Sequence, residues 1–136
     1  MSRTIVSVLR SIAAVVGGYL MVAAGTILTF NVLVGQVTVD SSPLQLLLGT
    51  LGAAISGLAG GILAAIISPR LPLLHAAGVL IFIAADTASV LMKGSGPVWF
   101  DLAGSSVLGS TVLLGGWMFC KLARYSAEEF LRGSAA

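Results

Sequence analysis

Four apolar stretches, each close to the length that spans a bilayer, occupy nearly all of this 136-residue chain. An α-helix rises about 1.5 Å per residue, so roughly 20 apolar residues cross a ~30 Å hydrocarbon core. Four such spans with short turns account for the full length and leave no room for a soluble domain. Composition agrees: 57% of residues are hydrophobic and 9% charged, against roughly a quarter charged in soluble domains. A water-soluble fold could not hide so much apolar surface.

The expected spans cover about 11–34, 44–68, 73–92 and 99–122. Unbroken apolarity without alternation, rich in Ala, Leu and Gly, argues for helices over barrel strands. Asp40, Ser41, Ser42 and Pro43 carry turn and N-cap chemistry, Pro69 and Pro72 stop the second span, and Lys93 to Pro97 break the third. A basic, partly helical lead precedes the first span, and Glu128 and Arg132, four apart, extend the last helix beyond it. Arg3 and Arg10 before an apolar run, with Ala23, Ala24 and Gly25 after it, imitate a secretory signal. The run continues to Leu33, too long for a signal core, so a retained span is expected. The fold class that follows is all-α: an integral membrane four-helix bundle, a single domain with antiparallel up-down topology.

Six of the seven basic residues (Arg3, Arg10, Arg70, Lys121, Arg124 and Arg132) fall on one side of a four-span arrangement, and Lys93 alone on the other. The positive-inside rule then places both termini and the Arg70 turn in the cytoplasm, with a bacterial plasma membrane as the expected location. Trp99 and Phe100 mark the outer end of the last span, and Trp117, Phe119 and Tyr125 its inner end. Because the basic residues sit at span ends and form no interleaved aromatic patch, nucleic acid is not an expected partner.

One cysteine and one histidine exclude a disulfide framework and a histidine-rich metal site. Gly-rich strings lie inside apolar spans, where they cannot form phosphate loops. The adjacent Glu128 and Glu129 point apart on a solvated tail and make no shielded acid–base pair. Cys120 reads as a small apolar residue without partners for nucleophilic chemistry. No enzyme activity, metal or cofactor is therefore expected.

The second span carries Gly49, Ala53, Gly57, Gly61 and Ala65 at a strict spacing of four, beside a second stripe of Gly52, Ser56, Gly60, Ala64 and Ser68. In lipid, apolar attraction between helices is weak, and small residues let backbones approach. Such stripes either close the bundle or join it to a second copy or another membrane protein. Those two partners, with the lipid bilayer, are the ones expected.

Asp86 stands well inside the third span. A charge near the bilayer centre costs about 2.5–3.5 kcal/mol on insertion scales, so it should face protein or water. Thr26, Thr50, Ser105 and Ser106 fall near its depth, and a hydroxyl layer can hold either form of the acid, making Asp86 a candidate proton or cation acceptor. The plainer reading is a packing polar group satisfied by Thr87 and Ser89, or relieved by Lys93. His75, eleven residues earlier, projects to the same face. It marks either one station of a proton route or an interfacial histidine.

Small multidrug exporters share the length and the four-helix count, but their mid-membrane glutamate on the first helix has no counterpart among Ile12 to Val32. Two functions stay open. The first is a small non-enzymatic, oligomer-forming or accessory membrane component; the alternative is a small transporter or channel that uses Asp86 for proton or cation binding.

Overall fold

A computed structural model describes residues 3–35, 37–38, 40–68, 70–94 and 97–133, with the backbone alone over 127–133. The stop at Pro69, the break at Ser95 and Gly96, and the side chains of Glu128, Glu129 and Arg132 lie outside the described residues. Four helices make up the structure: α1 (Arg3–Leu28, continued by a π-helical turn Thr29–Leu33), α2 (Pro43–Ile67), α3 (Pro72–Lys93) and α4 (Val98–Gly133). Each is long and apolar enough to cross a membrane.

The boundaries follow local chemistry. Ser42 caps α2 through a capping box with Gln45, and Pro43 occupies the first turn where its missing N–H costs nothing. Pro72 opens α3 in the same way, and Gly94 closes it in the left-handed conformation, its N–H donating to the carbonyls of Val90 and Leu91. The amides of Phe100 and Asp101 donate to the Pro97 carbonyl to start α4. α1 begins at Arg3, so the expected partly helical lead is continuous with the first span; it carries Ile5, Val6, Val8 and Leu9 and continues the apolar run. Its far end widens into the π turn, where the Thr29 hydroxyl donates to the Gly25 carbonyl and the Thr29 side chain fills the notch at Gly52.

Contacts between helices fix their directions. Gly18 faces Gly60 and Ala64, Gly25 faces Ser56, and Thr29 faces Gly52, so α1 and α2 run oppositely. Gly49 meets Phe100, Gly57 meets Leu108, and Gly61 meets Val112, so α2 and α4 run together. Thr87 meets Ser105, Leu80 meets Gly109, and Ala76 meets Gly116, which sets α3 against α4. The perimeter runs α1, α2, α4, α3, with α1 and α4 at opposite corners.

Both stripes of α2 are consumed in this packing. Gly49, Ala53, Gly57, Gly61 and Ala65 are all buried. A methyl added at Gly61 would meet the Val112 carbonyl, and one at Gly57 would lie 2.7 Å from the Leu108 carbonyl. The neighbouring stripe serves α1: a methyl at Gly60 would stand 2.7 Å from the Gly18 carbonyl, and one at Gly18 would stand 3.0 Å from the Gly60 carbonyl. Such approaches collect dispersion and weak Cα–H···O contacts that larger residues would forfeit.

The core is correspondingly thin, a cluster of Val22, Ala64, Ala76, Val79, Ile83 and Val112. Large apolar side chains point outward instead, Ile55 at 68% exposure and Ile81 at 72%. A helix turned inside out in this way suits a hydrocarbon solvent and not water.

Candidate functional site: a polar cavity at one end of the bundle

Two ends can be told apart. One carries the start of α1, Arg70 and Arg124, and is called here the basic end; the other carries Asp40 and Lys93. At the second end α1, α3 and α4 part around a cavity of about 760 Å³, within the range of small-molecule sites.

The cavity exists for identifiable reasons. α1 and α4 sit on a diagonal and are not drawn together by a seam. Between them stand small side chains, Ala23, Thr26 and Ser105, which cannot fill the gap. The π turn adds a residue to the last turn of α1, which swings the residues after it by about 100° relative to a continued α-helix. Phe30 and Asn31, within that turn, both line the cavity.

On the α2 side lies a smaller hollow of about 120 Å³ that includes Thr50, Ala53 and Gly104 and shares Thr26, Asp101 and Ser105 with the larger one. The rings of Phe30 and Phe100, edge to face with centroids 6.5 Å apart, border both. Toward the basic end, Tyr19 leans on Phe82 with ring centroids 5.2 Å apart, and the apolar cluster around Val79 and Val112 closes the bundle.

Asp86, Lys93 and Asp101 all line the larger cavity, leaving a formal excess of one negative charge. Of the five hydroxyls lining the cavity, those of Thr26, Thr87 and Ser105 have their protons engaged. Thr26 donates to the Val22 carbonyl, Thr87 to Ile83, and Ser105 to Asp101, while Thr87 and Ser105 also contact each other at 2.7 Å. With one proton per hydroxyl, what these groups offer the cavity is lone pairs. Carboxylates and acceptor oxygens together make a lining suited to a positively charged guest.

The polar layer expected from the sequence is gathered in part. Asp86, Thr26 and Ser105 share the larger cavity, and Thr50 lines the adjoining hollow, its hydroxyl donating to the Leu46 carbonyl. Ser106 does not join them: it is exposed and donates to the Leu102 carbonyl. One residue along a helix turns the side chain by about 100°, so Ser105 and Ser106 cannot both face inward. Thr87 and Ser89 do not cap the acid either, since Ser89 donates to the Ala85 carbonyl and Thr87 is occupied as above. Asp86 itself is exposed into the cavity.

Asp101 was missed by sequence reasoning. It sits in the first turn of α4, where a carboxylate is favoured by the helix dipole and reads as ordinary end chemistry. Its place one residue past Phe100, inside the span, was the available signal.

His75 stands apart from the cavity. Its Nδ1 lies 2.8 Å from the Leu71 carbonyl and 2.9 Å from the Ser68 hydroxyl, contacts that tie the α2–α3 turn together. Gln45 is likewise structural, its Nε2 donating to the Val34 carbonyl across the first turn. Among the described residues, no three His, Cys, Asp or Glu side chains come close enough to hold a metal ion.

No family model matches the chain, and neither a curated protein nor a solved structure matches it.

Proposed function

We propose that this small multi-pass membrane protein admits a proton or a small cation to the polar cavity and passes it across the bilayer, as a transporter or channel, with Asp86 as the main counter-charge and Asp101 as the second. The observation that carries this reading is the cavity lining: two carboxylates and the oxygens of Thr26, Thr87 and Ser105, whose protons are spent on helix carbonyls, against a single ammonium. Intramembrane acids that face a water-filled cavity are a recurrent mark of ion and proton pathways. The work is binding and release, with no bond made or broken.

The positive-inside distribution supports both termini in the cytoplasm of a bacterial cell and the cavity opening to the outside. The reading as an oligomer-forming or accessory component drew on the Gly and Ala stripes of α2. Those residues are buried within the chain, so transport is the better-supported of the two.

Purified protein in proteoliposomes tests the proposal. Internal pH should report proton flux, and uptake of methylammonium should report a small organic cation. Asp86→Asn should abolish whichever flux the native protein supports, while monodispersity and helical content stay native. Equal flux in the variant would remove Asp86 from the pathway.

A further inference from the structure

At the basic end, the α2–α3 turn and α4 enclose a second cavity of about 450 Å³. Its charged lining is Arg70, Lys121 and Arg124, with no acidic side chain among the described residues of its walls. Arg70 stands on the turn that His75 and Ser68 tie down. Lys121 and Arg124, three residues apart on α4, share a helix face, and the Lys121 ammonium rests 4.5 Å from the centre of the Trp117 ring. The remaining wall is apolar and open to the surroundings, with Leu73, Leu74 and Trp117 all exposed.

We propose that this cavity is a binding site for an anionic glycerophospholipid, with the headgroup phosphate held among Arg70, Lys121 and Arg124 and an acyl chain lying along Leu73, Leu74 and Trp117. Three cations gathered in one cavity, with no carboxylate among its described residues, call for an anion, and the guanidinium fork matches phosphate oxygens. A soluble anion would use the charged half alone. A lipid uses both, because the charged and apolar walls meet where a span ends, at the depth of a headgroup. Trp117 combines with both halves, its face toward the Lys121 ammonium and its body among the leucines. The inference stands independently of the transport reading, which concerns the other end of the bundle.

Native mass spectrometry from micelles holding equal amounts of phosphatidylglycerol and phosphatidylcholine tests it. The native protein should retain phosphatidylglycerol preferentially. Each cation near a membrane surface contributes about 1 kcal/mol, so Arg70→Gln with Arg124→Gln should lower that preference about thirtyfold. Arg3→Gln with Arg10→Gln, which removes the same charge elsewhere at that end, should leave it unchanged. Equal losses from both pairs would reduce the effect to general surface charge and overturn the site.

A second measurement leaves the basic residues intact. In a Trp99→Phe variant Trp117 is the sole tryptophan, and brominated phosphatidylglycerol should quench it more than brominated phosphatidylcholine at the same mole fraction. Equal quenching would overturn the proposal. Inorganic phosphate should fail to displace the bound lipid; displacement as complete as by added phosphatidylglycerol would overturn the acyl-chain half of it.

Discussion

The hydroxyls of Thr87 and Ser105 lie 2.7 Å apart, bridging α3 and α4 on the cavity wall, while each also reaches a carbonyl of its own helix. Two protons serve three contacts. Thr87→Val keeps the shape and removes the bridge, and interhelical hydrogen bonds in membranes average about 0.6 kcal/mol. A double-mutant cycle with Ser105→Ala, read by unfolding in detergent, should return a coupling of that size; strict additivity would show that the bridge contributes nothing.

Charge in the cavity predicts a graded response. Contacts to a charged group contribute about 1.5–3 kcal/mol, so Asp86→Asn and Asp101→Asn should each weaken cation binding about tenfold to a hundredfold, and the pair should abolish it. Calorimetric titration with methylammonium reads this directly. An Asp101→Asn protein with native affinity would show that its carboxylate serves only the start of α4.

Glycines on α2 and α4 should separate sharply. Gly61→Ala forces a methyl onto the Val112 carbonyl, and overpacking of this kind costs about 1–3 kcal/mol. Gly104 has nothing within 4 Å of an added methyl, so Gly104→Ala should stabilise the helix by about 0.4–1 kcal/mol. Thermal denaturation of both variants tests the contrast, and a Gly61→Ala protein as stable as native would mean that α2 and α4 are not in this contact.

Ser68→Ala removes one tie of the α2–α3 turn. Loss of a hydrogen bond of this kind costs about 0.5–1.5 kcal/mol, and flux in proteoliposomes should be untouched. If His75→Phe leaves a folded protein without proton flux, the histidine is a station on the route after all, and the turn-tying role is incomplete.

Orientation has its own test. In a Cys120→Ser background, an impermeant maleimide should label Lys93→Cys on intact cells and Arg70→Cys only after permeabilisation. The reverse pattern would turn the cavity to the cytoplasm.

Much of the fold was legible because hydrocarbon thickness sets helix length, and the Ser42–Pro43 and Gly94 signals set boundaries by local chemistry alone. A helical lead before the first span was legible too, but not its full length back to Arg3, since apolar character fades gradually through Val8 and Arg10. The π turn at Thr29 left no mark in the sequence, because it answers to the notch at Gly52 on another helix. Asp86 was conspicuous as an acid in an apolar run. Depth along each span also brought Thr26 and Ser105 to its level, but depth carries no azimuth, and Ser106 was grouped with residues it faces away from. Asp101 was hidden by resemblance to a helix-start acid. That it shares a cavity with Asp86 depends on the diagonal placement of α1 and α4, which no single-helix pattern encodes.

Gly18 and Gly60 approach so closely that a methyl on either would meet the other's carbonyl, a main-chain obstacle that trimming the adjacent Val22, Ala64 or Val79 would not remove. Where helices meet through bare main chain, compensation by a second substitution has little to work with. Tolerance to change along α2 should therefore divide by helix face, with Leu47, Leu51, Ile55 and Ile66 freely interchangeable on the exposed side and the buried glycines Gly57, Gly60 and Gly61 nearly immutable. The helix with the plainest composition in the molecule is the one least free to vary.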